Sequence, residues 1–237
     1  FFLINKPPSS TKDPYALRRL SIGLIKIILE NNMSFKIKDI INYSCQIYSE
    51  QSIKFDNKKV QNELSNFILD RFKNFMKEKS IRPDIIESST INCDLNKLLK
   101  IYKKSIFLQK NIKKQVGRDL LENYKRAYKI LINENINILK NIQGSPDPEI
   151  FKNEFEMLLY KKLNNIKKDL ASVKVENDFN SQLLILSTVK KELTDFFDNV
   201  IVNERDEILK KNRLELLKLL CKTYDNYINF TKVEAQE

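Results

Sequence analysis

The residues with the clearest chemistry are cations placed at helical spacing. Lys97, Lys100 and Lys104 recur at intervals of three and four, and Arg118, Lys125, Arg126 and Lys129 follow within the next turns. On a helix of 100° per residue, the first three lie opposite an apolar stripe of Leu95, Leu99, Tyr102 and Ile106. The second group, with Glu122 among it, lies opposite Leu120, Tyr124, Ala127, Tyr128 and Leu131. Two such helices side by side and antiparallel would present one basic surface. Its chemistry is phosphate neutralisation by counterion release, with lysines as point charges and Arg118 and Arg126 as bidentate partners. The same pattern also describes an ordinary solvated helix face, so spacing alone leaves both open. Tyr102, Tyr124 and Tyr128 fall on the apolar sides and are expected in the core, not as platforms for bases.

Other side chains offer less. Arg213 falls among Leu209, Leu216, Leu217 and Leu220 on the buried side of the last long helix, where a guanidinium needs a carboxylate. Asp198, in Phe196-Phe197-Asp198-Asn199, is the expected partner in a structural ion pair. Asp195 and Asp198 stand three apart, but with no acid or base beside them they are expected to cap and pair. The chain has no His, which removes the Ser-His-Asp and Cys-His nucleophile pairs, the imidazole base and His metal ligands. Gly23, Gly117 and Gly144 are isolated, so neither phosphate-cradling glycine motif occurs. Cys45, Cys93 and Cys221 are scattered singly, against a zinc site or a disulfide framework and in keeping with a reducing cytoplasm. No catalytic residue and no metal site is expected.

Net charge supports a polyanionic partner only through its location. The 237 residues carry 42 Lys and Arg against 31 Asp and Glu, for +11. Only eight of the basic residues are Arg, and the abundance of Lys, Asn and Ile is that of an AT-rich genome, so composition could supply part of the excess. Residues 1–92 hold 15 basic and 10 acidic residues, 93–140 hold 12 and 4, and 141–237 hold 15 and 17. Compositional bias would not place +8 within the 48 residues of 93–140 beside +5 in 1–92 and −2 in 141–237. The hydrophobic share of 42% with 31% charged suits a soluble globular chain. No apolar run reaches the roughly 18–20 residues of a membrane span, so no membrane segment is expected. The first residue is Phe1, from which an excised stretch of a longer protein is expected.

The elements that must position these residues are helical nearly throughout, because apolar residues recur at three- and four-residue spacing and Gly and Pro are confined to a few points. After an extended Pro7-Pro8-Ser9-Ser10, Asp13 as N-cap and Pro14 at the first position predict a helix to Glu30. Further helices are expected over about 36–49 and, after Asp56, about 57–79. Arg82-Pro83 and Ser88-Ser89-Thr90 give the clearest break. Beyond it, helices are expected at about 95–110, 117–140, 148–172, 179–197 and 205–224, joined by short turns into a bundle. Val200-Ile201-Val202 is strand-like but short, and no repeat of fixed period occurs. The expected fold class is all-α, with residues 1–92 and 93–237 as its two parts.

Motifs then accumulate. Lys12-Asp13-Pro14-Tyr15-Ala16-Leu17-Arg18-Arg19 resembles the K-D-P-[FY]-A-L-R-R signature of the β subunit of bacterial heterotetrameric glycyl-tRNA synthetase. Asp70-Arg71-Phe72 is similar to that family's R-F segment, and Tyr124-Lys125-Arg126-Ala127-Tyr128-Lys129-Ile130-Leu131 to its K-R-[VA]-x-N-I-L helix. Phe196-Phe197-Asp198-Asn199-Val200-Ile201-Val202, followed by Asn212-Arg213-Leu214, resembles its F-F-D-x-V-x-V…N-R-L ending. The order is right and the resemblance covers the whole chain. Lys129 departs from the pattern, standing where the family has Asn and exchanging a side-chain amide for a phosphate-binding charge.

The resemblance implies the C-terminal third of that β subunit. Residues 1–92 would be the helical tail of an HD-like domain whose His-Asp motif lies upstream. Residues 93–237 would be a DALR-type anticodon-binding bundle like that of arginyl-tRNA synthetase. It implies tRNA(Gly) as ligand, for which the basic faces of Lys97, Lys100, Lys104, Arg118, Lys125, Arg126 and Lys129 are the expected contact, and the synthetase α subunit as partner in an α2β2 assembly. It implies no cofactor in this stretch, since ATP and Mg serve the holoenzyme and glycine activation belongs to the α subunit. A cytoplasmic location, no membrane and no DNA complete the expectations. The alternatives are a helical protein-interaction scaffold without nucleic acid, and an HD-type phosphohydrolase, which would need the missing His and a metal.

Overall fold

The computed structural model describes residues 1–9, 12–91, 93–134, 144–173, 178–225, 227 and 229–234. Among them there is no strand, and the chain is all-α. Packing divides it into two compact units, Phe1–Ile106 and Phe107–Glu237.

In the first unit, α1 (Leu17–Glu30), α2 (Ile37–Glu50) and α4 (Pro83–Thr90) pack on a central α3 (Asn57–Glu78). Helix α3 can serve three neighbours because Val60, Ile68, Phe72, Phe75 and Met76 are buried along it. The first helix begins three residues later than Pro14. Ala16, in the left-handed region at φ 56°, breaks the backbone there. Asp13 still caps, its carboxylate accepting from the Leu17 and Arg18 amides at 2.9 and 3.0 Å. Burial would raise the Asp13 pKa, but those amide bonds and the charges of Arg18 and Arg19 outweigh it and hold the carboxyl below its ordinary value.

The stretch expected as a break at Ser88-Ser89-Thr90 is instead the last turn of α4. Pro83 sits at its first turn, where a missing amide hydrogen is harmless, and Ile85 and Ile86 are fully buried. The Thr90 hydroxyl donates to the Ile86 carbonyl at 2.7 Å, on the preceding turn, while the buried Ser88 and Ser89 hydroxyls beside it find no partner among the described residues. A 3₁₀ turn, Leu95–Lys97, follows and leads into α5 (Leu98–Asn111). The division at Ile106/Phe107 lies beyond the sequence break at 92/93 because this turn packs on α2. The Asn96 amide donates to Asp39 at 2.9 Å and its oxygen accepts from the Lys38 amide at 2.8 Å.

The second unit holds α6 (Gln115–Ile132), α7 (Glu154–Ser172), α8 (Phe179–Ser187), α9 (Lys190–Asn199) and α10 (Glu207–Asp225), with 3₁₀ turns at Pro148–Ile150 and Phe230–Lys232. Helix α6 packs against α8, α9, α10 and the Phe230 turn, and α7 against α8, α9 and α10. Helix α6 can start close under the preceding turn only because residue 117 is glycine. A Cβ there would lie 2.3 Å from the Asn111 carbonyl oxygen and 2.6 Å from the Ile112 Cα. The part of the expected 117–140 helix beyond 134 lies outside the described residues. The expected 179–197 helix is two helices. At the break Ser187 and Thr188 hydroxyls take the Leu184 and Ile185 carbonyls, each at 2.7 Å.

Arg213 is buried as expected, but its partner is not Asp198, which lies exposed near the end of α9. The partner is Glu156, which is fully buried. Nε of Arg213 donates to Oε1 at 2.9 Å, and Nη1 donates to the Ile201 carbonyl at 2.7 Å. Glu204 stands 3.7 Å from Nη1. Glu156 also closes the capping box of α7, accepting from the Asn153 amide at 2.9 Å while the Asn153 side chain accepts from Phe155 at 3.0 Å. The preceding Asn212 pairs with both main-chain groups of Asp147, at 2.7 and 2.9 Å. Thus Asn212 and Arg213 hold the 147 turn, the start of α7 and the extended 200–204 link onto α10. Val200 and Val202 are buried in that link, and no strand forms.

Candidate nucleic-acid interface

The expected phosphate-binding residues fall in both units. Lys97, Lys100 and Lys104 belong to the first, and Arg118, Lys125, Arg126 and Lys129 to the second. Lys97 is exposed and lies 3.8 Å from Asp94, a solvated pair of little consequence. Lys100 and Lys104 are not on a fully solvated face as expected. Both are half-buried. Burial, reinforced by the charge of Lys100, brings the Lys104 ammonium down to a pKa of about 8. It should therefore lose its charge near pH 8, where an exposed lysine keeps it, as ¹³C NMR of dimethylated lysines can follow. Because the unfolded chain holds this proton up to its ordinary value, stability should rise with pH between about 8 and 10.5. Titration of Lys104 together with the exposed lysines would contradict that placement.

Helix α6 carries the better-formed surface. Leu120, Leu121, Tyr124, Ala127 and Leu131 are buried, which fixes the helix rotation and turns Arg118, Arg126 and Lys129 outward, with Lys125 half-buried beside them. The acidic residues of the helix differ in effect. Asp119 accepts from Lys190 and from Gln115, each at 2.7 Å. The Lys190 bond is the main reason its carboxyl lies below its ordinary value, burial acting against it. Its charge is thus already matched by Lys190. Glu122 is exposed among the cations and tempers them.

Arg126 lies over Phe197, its guanidinium carbon 4.1 Å from the ring centroid. Stacking holds the planar group against α9 while its edge N–H groups stay available, the geometry that suits bidentate phosphate contact. Sequence reasoning missed Phe197 as the support, although both residues stand in the motifs singled out, because periodicity within a helix says nothing of its neighbour.

Tyr124 is fully buried as expected, its hydroxyl donating to Asp225 at 2.9 Å. Burial first, then the charge and hydrogen bond of Asp225, push that hydroxyl's pKa up. Tyr128, expected in the core, is 36% exposed and lies at the border of the apolar sector. An offset of about 100° from the centre of the cationic face leaves room for either placement, and the neighbouring elements decide it. Among the described residues no His, Cys, Asp or Glu group is arranged to hold a metal. Nor, among them, is any helix long and apolar enough to cross a membrane.

The family model "Glycyl-tRNA synthetase beta subunit" matches residues 1–90, and "DALR anticodon binding domain" matches residues 120–237. Curated relatives named "Glycine--tRNA ligase beta subunit" align over 98% of this chain. They include those of Rickettsia bellii (strain OSU 85-389), 32% identical, Rickettsia africae (strain ESF-5), 31%, and Rickettsia prowazekii (strain Madrid E), 30%. The chain spans about a third of their length, 32% in each case. On motif order, helical fold and the two matched segments together, the chain belongs to the glycyl-tRNA synthetase beta-subunit family and carries a DALR anticodon binding domain.

Proposed function

We propose that the Phe107–Glu237 unit binds tRNA(Gly) by its anticodon arm, with the outward face of α6 contacting the phosphates. The observation that carries this is the presentation of Arg118, Arg126 and Lys129 on one exposed helix face, Arg126 braced on Phe197, within the segment matched by an anticodon binding domain. Phosphate contacts set register and supply a salt-dependent share of affinity, while unpaired bases supply specificity. The wider role is support of ATP-dependent attachment of glycine to tRNA(Gly), in the cytoplasm, with the chemistry on a separate α subunit in an α2β2 assembly. ATP and Mg belong with that chemistry. The described residues offer no ligand cluster for a metal, and no step here runs through either.

Hydroxyl-radical footprinting of the full-length protein on a tRNA(Gly) transcript tests the assignment. Protection is expected on the backbone of the anticodon arm. Protection confined to the acceptor stem would contradict it.

A further inference from the structure

We propose that Tyr128 is a stacking platform for one unpaired nucleobase of the bound RNA. This rests on the tRNA-binding function proposed above and names a residue that reads a base at that site. The ring is the outer end of an aromatic stack. Phe230 and Tyr224 flank Tyr124 at centroid distances of 5.6 and 6.0 Å, and Tyr124 lies nearly parallel to Tyr128, at 5.8 Å and 15°. Tyr124 cannot turn away, because it is fully buried and its hydroxyl is tied to Asp225. Tyr128 is therefore backed on its inner side by a fixed ring while 36% of its surface meets solvent. An aromatic that is both exposed and held in place loses little conformational freedom when a base stacks on it.

The surroundings favour a nucleotide over an apolar partner. On the helix surface Tyr128 is flanked by Lys125 one turn before and Ile132 one turn after, with Lys129 and Arg118 further round the same face. Ile132 is 54% exposed and extends the apolar edge by one side chain. On α6 itself, an exposed apolar strip of two residues with cations alongside matches a base attached to a phosphate. It is the pairing of stacking surface and electrostatic track by which single-stranded nucleic acid is bound. Asp225 stands near the inner end of the stack, where the Tyr124 hydroxyl engages its carboxylate.

Affinity of the full-length protein for a tRNA(Gly) transcript, measured by fluorescence anisotropy across a salt series, tests this. Tyr128→Ala should weaken binding by about 5- to 160-fold with the salt slope unchanged, since a stacked base carries no counterion release. Tyr128→Phe and Tyr128→Trp keep the platform and should bind within about twofold of wild type. Wild-type affinity in a folded Tyr128→Ala protein, or equal losses in the Ala and Phe variants, would overturn the proposal. Should Lys125→Glu, Arg126→Glu and Lys129→Glu together weaken binding while Tyr128→Ala does not, stacking fails and the phosphate face stands. Should neither change bind differently from wild type, the tRNA assignment to this face fails with it.

Discussion

Replacement of Arg213 by alanine is expected to destabilise the Phe107–Glu237 unit by about 3–5 kcal/mol, because it strands the fully buried Glu156 carboxylate. The Asn153 and Lys152 amides still reach Oε2 of Glu156, at 2.9 and 3.1 Å, so part of its solvation survives and the lower end is favoured. For a unit of this length the loss corresponds to a fall in Tm of about 10–18 °C. The Ile201 carbonyl would lose its donor at the same time, releasing the extended link before α10. The pair should behave as a specifying contact and not as a source of net stability. Arg213→Met combined with Glu156→Leu removes both charges together and should recover most of the loss. Asp198→Asn, at the exposed carboxylate that the sequence favoured, should stay within about 0.5 kcal/mol of wild type. Thermal unfolding of the four proteins decides. An Arg213→Ala protein as stable as wild type would show that the Asn212-Arg213 motif is not the clamp it forms in this fold.

Simultaneous reversal of Lys125, Arg126 and Lys129 to glutamate should weaken tRNA(Gly) binding by about 50- to 170-fold at 0.15 M salt. The figure is three phosphate contacts at a log–log slope of about 0.7–0.9 each, relative to 1 M. Repulsion by the new carboxylates adds to it. All three residues lie away from the buried face of α6, so the helix keeps Leu120, Tyr124, Ala127 and Leu131 against its neighbours. Arg126→Glu also removes the guanidinium from Phe197, a contact worth about 0.5–1 kcal/mol at such a site, too little to unfold the unit. Reversal of Lys104 should matter less than reversal of Lys129, because its half-buried amine already carries a weakened hold on its proton.

What the sequence made legible and what it did not separate by range. Contacts within a turn or two were readable. Asp13 caps, Asp56 caps with its side chain accepting from Lys59, and the apolar and cationic sides of α6 lie where the periodicity put them. Errors arose where a second element decides. Arg213 and Glu156 are 57 residues apart, and the choice between Glu156 and Asp198 depends on how α7 crosses α10. Asn153-x-x-Glu156 is a capping box inside the stretch expected to be helical from about 148, and a capping carboxylate gives no local sign that it also faces a guanidinium. Tyr128 sits on the border of an apolar sector whose width is set by α8, α9 and α10 and not by α6 itself. Ser88-Ser89-Thr90 failed as a break because Thr90 satisfies its hydroxyl on the preceding turn, an option that polarity does not reveal.

The most direct measurement of the central claim is the salt dependence of tRNA(Gly) affinity for wild type and for the triple reversal on α6. The slope of log K against log salt should be shallower in the variant by about 2–3, with the fold intact by circular dichroism. Equal affinity and equal slope in a folded variant would contradict a phosphate-binding role for this face.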